Sequence, residues 1–441
     1  MSLLISNGTI VTMDDEHRCF KGFVAVEDDR IRLITDQRPP GKYDKEIDAS
    51  GKIVLPGLIQ THVHLTQALF RGQADDMVLM DWLQKRVWPL EASHDDESNF
   101  YSAQLGLSEM LLGGTTAIVD METVYHADAA IEAIYRSGMR AVTGKCLMSN
   151  DPELPDGLRQ PNDKALQETM DLHDKWHMKD NGRIRYALTP RFAVSSDEEL
   201  LLEVVRLAEQ NNLMIHSHAS ESPGEVAIVQ EKFGKPNVEY LHKIGLTGPN
   251  LVLAHCIWLN DREMEILVDT QTKISHCPGS NLKLASGIAK IPELLKMGAK
   301  ISLGADGAPC NNRMSIFNEM YLAALIQKVR LADPQALNAY EVLHMATRGG
   351  AEAIGQSDDL GSLEVGKKAD ITIVGLDGAH QQPAEHIDPV AQLVYSTQAG
   401  DVYATIVDGK VLMENRQLLT LDWDDIKHNT NRIIKQKLAR I

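Results

Sequence analysis

Apolar residues along the chain follow two different periods. Near the N-terminus they alternate with polar residues in LLISNGTIVTM and FVAVEDDRIRLI, with Asn-Gly and Asp-Asp at the breaks, which predicts short strands joined by tight turns. The pattern returns late in the chain, in ADITIVGLDG (369–378) and VYATIVDGKVLMENRQ (402–417). Chain termini commonly lie close together, so both ends are expected to share one small β-sandwich domain over 1–57 and 358–441. It would finish in an amphipathic helix from Asp422, acidic at its start and basic at its end, of a kind that serves packing or oligomer contacts.

Between the two ends, short β-branched runs alternate with longer stretches of helical period, such as DEELLLEVVRLAEQNN (197–212). Eight strands are predicted: KIVLPGLIQ from Lys52, TTAIVDM from Thr115, RAVTGKCL from Arg140, IRYALTP from Ile184, NLMIHSHA from Asn212, LVLAHC from Leu251, KISHCP from Lys273 and KISLGAD from Lys300. Eight βα units predict an α/β protein, a (β/α)8 TIM-like barrel over 58–357. Catalytic side chains in such barrels lie at the C-terminal ends of the strands. His62 and His64 follow the first predicted strand, His216 and His218 end the fifth, and His255, His276 and Asp306 end the sixth, seventh and eighth. One barrel mouth would collect them all.

Composition narrows the class. The 441 residues are 24% charged and 43% hydrophobic with a formal charge of -18, an acidic globular chain long enough for two or three cores or one large barrel. Its Lys and Arg are interleaved with acids, so no basic face for nucleic acid is expected. No apolar run reaches the roughly 18 residues of a membrane span, and the N-terminus lacks a basic segment followed by an apolar one, so a cytoplasmic location is expected. Cys19, Cys146, Cys256, Cys277 and Cys310 are odd in number and form no CxxC, so they are expected to be buried thiols.

In Thr61-His62-Val63-His64 the imidazoles are two residues apart and point to the same side of a strand, so they can hold one metal ion. A lone HxH is as readily a pair of hydrogen-bonded core or surface histidines. With His218 and Asp306 the set becomes three nitrogens and one oxygen with a place left for water, the composition of a catalytic site. Zinc is the first choice, and iron or manganese suits the same ligands. Glu221, three residues beyond His218, is placed to shuttle protons, or else is a solvated acid opening the next helix. His255 and His276 emerge from apolar strands at matching ends, which favours function over core roles.

The ordered motifs PGLIQTHVHLTQALFRG, IHSHASES, LAHCIWL, SHCPGSNLKLASGIA and LGADGAPCNN resemble the amidohydrolase superfamily, specifically its cytosine-, guanine- and adenosine-type deaminases and triazine hydrolases. The resemblance covers nearly the whole chain, including GSLEVGKKADI and VDGKVLMEN near its end. It implies one divalent metal on His62, His64, His218 and Asp306, with Glu221, His255 and Asp306 moving protons. Water loses a proton to Asp306 and attacks an amino-bearing ring carbon, Glu221 protonates the neighbouring ring nitrogen, and His255 and His276 orient or stabilise the developing charge. Binuclear relatives carry a bridging Lys after the fourth strand, where this chain has Thr189-Pro190-Arg191.

Within the superfamily, 81–83, 89–91 and SNLKLASG resemble deaminases of 5'-modified adenosines: S-adenosylhomocysteine, methylthioadenosine and 5'-deoxyadenosine. That likeness implies that Glu91 binds the ribose hydroxyls, as a carboxylate accepting from a cis-diol does, and that Trp82 lines the pocket. Pro190-Arg191-Phe192 departs from the group, which usually carries a His there, and resembles the purine-contacting segment of guanine deaminases. Arg191 would then meet a purine carbonyl, a carboxylate or the ribose edge. The long loop 149–163 reads as a lid bringing Arg159 to the substrate, or as an insertion. The expected partner is a small purine nucleoside, and the expected assembly is a homo-oligomer. A guanine- or pterin-type deaminase, a triazine-type hydrolase and a non-catalytic sensor are the alternatives. Nothing matches G-x-S-x-G, HExxH or the cytidine-deaminase pairing of HxE with PCxxC.

Overall fold

The computed structural model describes residues 2–149, 151 and 154–439. Its parallel sheet runs in the order Lys300–Leu303, Lys273–His276, Leu251–His255, Met214–Ala219, Ile184–Pro190, Arg140–Gly144, Thr115–Met121 and Leu58–His64. Just past Leu303 the chain extends again at Asp306–Gly307 and pairs with the other end of the sheet, Asp306 opposite Val63 and Gly307 opposite His64. The sheet thus meets itself as a TIM-like barrel. Leu58–His64 and Thr115–Met121 are buried at every position, as strands with both faces covered must be. In the outer helix Glu198–Asn211, Asp197 caps the start by accepting from Leu200 N at 2.8 Å, and the turn ends at Asn212 with φ 52°. Its Leu200, Leu201, Val204 and Ala208 are buried in the largest apolar cluster, worth about 1.5–3 kcal/mol for each large side chain.

A second sheet of nine strands draws on both chain ends. Ile371–Gly375 pairs antiparallel with Lys52–Pro56, which joins the late strands to the early ones. The strand expected to run unbroken from Lys52 is therefore two strands. Lys52–Pro56 belongs to the small sheet and Leu58–His64 opens the barrel. The break falls at Gly57, whose amide donates to Asp370 O at 2.8 Å and where a Cβ would lie 2.1 Å from Thr116 Oγ1. Any larger residue there would force the Thr116 side chain to move. The C-terminal helix, Trp423–Leu438, lies along Asp96–Leu112, with Lys437 Nζ 2.8 Å from Asp95 Oδ2. Four cysteines are buried as expected, but Cys19 is exposed, because it begins a strand at the sheet surface. Among the described residues, no helix is long and apolar enough to cross a membrane.

Candidate active site

The strand ends do meet. Nitrogens of His62, His64 and His218 lie within 4.8 Å of one another, as do donor atoms of His62, His255 and Asp306, and these are the only such groups among the described residues. The approach of the first and eighth strands is close because residue 304 is Gly: a Cβ there would lie 2.7 Å from His62 O. His255 (φ 71°) and Asp306 (φ 62°) hold left-handed backbone, a cost of about 1 kcal/mol or more each that the surrounding barrel sustains.

The hydrogen bonds around the imidazoles fix their tautomers. His216 Nδ1 faces Val252 O at 3.0 Å and must donate, so its Nε2 accepts from His62 Nδ1 at 2.8 Å. His64 Nδ1 donates to Met121 O at 2.9 Å, and His218 Nδ1 donates to Arg191 O at 2.7 Å. Each of the three therefore turns an Nε2 lone pair to the centre. His64 Nε2 and His218 Nε2 stand 3.3 Å apart, acceptor against acceptor, and His62 Nε2 is buried without a hydrogen-bond partner. Asp306 Oδ1 lies 3.3 Å from His62 Nε2 and 3.5 Å from His64 Nε2. Three bare imidazole nitrogens facing a carboxylate oxygen repel one another unless a cation sits among them. The donor set fits a divalent ion of the zinc type. Burial holds His62 and His64 down at about 4 and His216 at about 3, the neutral state such ligands need.

Beside this centre stand the proton-handling groups. Burial pushes the Glu221 carboxyl up to about 7, with His255 opposing and Asp306 adding to the shift. Burial alone would lower His255, but the carboxylates of Glu221 and Asp306 raise it. His255 Nε2 is 3.4 Å from Glu221 Oε2 and 3.8 Å from Asp306 Oδ2, so a proton leaving one group has an acceptor at hand.

A small cavity of about 30 Å3 opens over these groups, walled by Leu79, Trp82, Leu83, Phe192 and Leu284, with Gln67 and Arg191 at its polar side. Trp82 Nε1 is buried without a partner and is free to donate to a guest. Glu91 lies behind this wall at 2% exposure and is already engaged: Arg191 Nη1 donates to its Oε2 at 2.7 Å, and Gln67 Nε2 donates to its Oε1 at 2.8 Å. Two expected site residues do not line this cavity. His276 is buried with both ring nitrogens unpartnered and does not line the cavity. Arg159 pairs with Asp156 and also lies off the cavity, while Asn150, Pro152 and Glu153 of the expected lid lie outside the described residues. Gln67 and the residues 280, 281 and 286, which touch the proton-handling groups, were missed. Gln67 is three residues past His64, and that offset from the HxH was its only signal.

A model of the amidohydrolase family matches residues 53–412, and the chain belongs to that family. It is 40% identical over 402 residues to the 5'-deoxyadenosine deaminase of Methanothermobacter thermautotrophicus, covering 91% of each chain. It is 37% identical over 429 residues to the 5-methylthioadenosine/S-adenosylhomocysteine deaminase of Syntrophomonas wolfei, covering 97% of each. Among solved structures, an adenosine deaminase from Xanthomonas campestris with bound zinc superposes with a TM-score of 0.93 at 30% identity, over 100% of this chain and 99% of that one.

Proposed function

We propose that the protein is a metal-dependent hydrolytic deaminase of a purine nucleoside, acting on a 5'-modified adenosine such as 5'-deoxyadenosine, 5'-methylthioadenosine or S-adenosylhomocysteine, or on adenosine, and releasing the inosine analogue and ammonia. The observation that carries it is the convergence of three Nε2 lone pairs and Asp306 beside a raised Glu221. The named relatives support the substrate class. His62, His64, His218 and Asp306 would hold the ion, zinc in this reading. When bound, it supplies Lewis-acid chemistry that brings the ionisation of water towards neutral pH.

The chain's own groups supply the proton movements. Glu221, protonated near neutral pH, gives its proton to the ring nitrogen beside the amino-bearing carbon. Asp306 takes one proton from the attacking water and passes it to the departing amine, which leaves as ammonia. The second water proton leaves as the carbonyl forms, and His255 returns it to Glu221. His276, at the end of the strand that pairs with that of His255, is assigned to orienting these groups. Trp82 flanks the base, Glu91 receives the ribose hydroxyls, and Arg191 and Arg159 meet polar parts of the substrate. The barrel is read as residues 58–357 and the small domain as 1–57 with 358–441. A shared core that includes Leu3, Val24, Ile371 and Ile406 supports a sandwich-like closure of the nine-stranded sheet. A cytoplasmic homo-oligomer completes the reading, supported by Tyr321, Leu325 and Val329, exposed four residues apart on one helix.

One observation favours a second reading. Glu91 is already engaged by Arg191 and Gln67, and Arg191 itself lines the cavity, where an oxo-heterocycle of the guanine or pterin type would accept from its guanidinium. Ammonia release by zinc-loaded protein from 5'-deoxyadenosine, 5'-methylthioadenosine, adenosine, guanine and a pterin decides. Turnover of the nucleosides sustains the proposal, and turnover of the oxo-bases alone replaces it.

A further inference from the structure

One short stretch after the seventh barrel strand touches every proton-handling group. Ser280 Oγ donates to Asp306 Oδ2 at 2.7 Å, Asn281 Oδ1 faces His255 Nδ1 at 2.8 Å, and Ser286 Oγ donates to Glu221 Oε1 at 3.2 Å. The three receiving groups come from three different strand ends, while the three contacts come from residues 280–286. A buried serine needs some partner. Ordinary satisfaction of buried polar side chains gives no reason for all three to find their partners on separate acid–base groups.

The stretch is itself anchored at both ends. Glu319 Oε2 accepts from Gly279 N at 2.8 Å, and Trp258 Nε1 donates to Ser286 O at 2.6 Å. Inside it, Ser286 N returns to Asn281 O at 2.9 Å, so the two outer contacts are tied through the central one. Each contact leaves one working edge free. With Oδ2 of Asp306 held by Ser280, its Oδ1 faces His62 and His64. With Nδ1 of His255 donating to Asn281, the nitrogen that gains and loses a proton is Nε2, the one facing Glu221 and Asp306. An acceptor at Nδ1 serves both charge states of the ring.

Resting on the deaminase reading above, we propose that Ser280, Asn281 and Ser286 form a single positioning element that sets the orientation of Asp306, His255 and Glu221 for proton transfer. They act through those groups and touch no reacting atom. Outer hydrogen bonds of this kind are worth about 10–100-fold in activity. The test uses zinc-loaded protein with 5'-deoxyadenosine as probe. Asn281→Leu is expected to lower kcat about 100-fold, and Ser280→Ala and Ser286→Ala about 10-fold each, with KM, zinc content and Tm close to wild type. Asn281→Asp, which keeps an acceptor oxygen, is expected to recover kcat to within about 5-fold. A second measurement is independent of activity: nitrogen NMR of His255, assigned by its loss in His255→Gln, is expected to report a protonated Nδ1 that becomes a tautomer mixture in Asn281→Leu. Variants that keep wild-type kcat, that change only KM, or that leave the His255 signal unmoved overturn the proposal. Should Asn281→Leu fail to fold, Ser286→Ala decides by the same kcat criterion. A wild-type protein that releases no ammonia overturns the deaminase reading instead, and the NMR arm still decides this one.

Discussion

Replacing Glu91 by Gln keeps the side-chain shape and removes one charge from a buried pair. In the protein as it stands, Glu91 accepts from Arg191 at 2.7 and 3.3 Å and from Gln67 at 2.8 Å, with both charged partners buried. Loss of the carboxylate leaves the guanidinium uncompensated, and breaking a buried pair in this way costs about 3–5 kcal/mol. The amide oxygen still accepts one bond, so the lower end applies. With an unfolding entropy of about 2.1 cal/mol/K per residue over 441 residues, about 0.9 kcal/mol/K, Tm is expected to fall by about 3 °C. Activity has its own scale. If Glu91 also receives the ribose hydroxyls, the variant loses charge-assisted bonds worth about 1.5–3 kcal/mol, or about 10–150-fold in kcat/KM for a nucleoside. Adenine has no ribose to lose and serves as the internal control. Initial rates of ammonia release on 5'-deoxyadenosine and adenine, beside thermal melts, read both effects. Equal losses on the two substrates, or a nucleoside rate within about threefold of wild type, would refute the ribose role.

Three further outcomes are expected. Glu221→Gln should keep the pocket but lower kcat by about 10²–10⁴-fold with little change in KM, as ammonia-release kinetics will show, because the amide cannot pass on the proton. Stripping the protein with a chelator should abolish ammonia release and lower Tm, and adding zinc back should restore both; activity that survives verified metal removal contradicts the ligand assignment. His94 is buried, donates Nε2–H to Thr66 O at 2.8 Å and is held at about 3 by burial, below its ordinary 6.5. Its unfolded form binds the extra proton first, so stability is complete above about pH 6.5 and is lost as pH falls towards 3. Between pH 6.5 and 5 this is about 2 kcal/mol. Urea unfolding of His94→Gln should be less pH-dependent than wild type by about that amount, and an unchanged slope argues against a neutral buried ring.

The barrel and its histidines were legible because one rule, catalytic groups at the C-terminal ends of parallel strands, turns linear positions into a shared location. The HxH and HSH spacings needed no knowledge of packing. Glu91 and Arg191 are 100 residues apart, and nothing in a linear chain states that they meet as an ion pair. Ser280, Asn281 and Ser286 were hidden for another reason: Ser and Asn are common in turns, where their side chains usually serve the local backbone. The break at Gly57 left a signal, a Pro-Gly pair inside an otherwise continuous apolar run, but the run invited reading as one strand.

Arg191 shows how such a site can tolerate change at a contact that faces the cavity. Its backbone carbonyl accepts from His218 Nδ1 at 2.7 Å, and its amide donates to Leu147 O at 3.1 Å. Those bonds orient a candidate ligand and depend on the strand end alone, whatever side chain residue 191 carries. The side chain does a separate job, neutralising Glu91 and facing the cavity. A substitution here can therefore alter which heterocycle is held while His218 keeps its tautomer and its aim. Recognition and ligand orientation are carried here by different atoms of the same residue. Arg191→His is expected to preserve zinc content and change the ratio of nucleoside to oxo-base turnover. If it releases the metal instead, the backbone contact is not what holds His218.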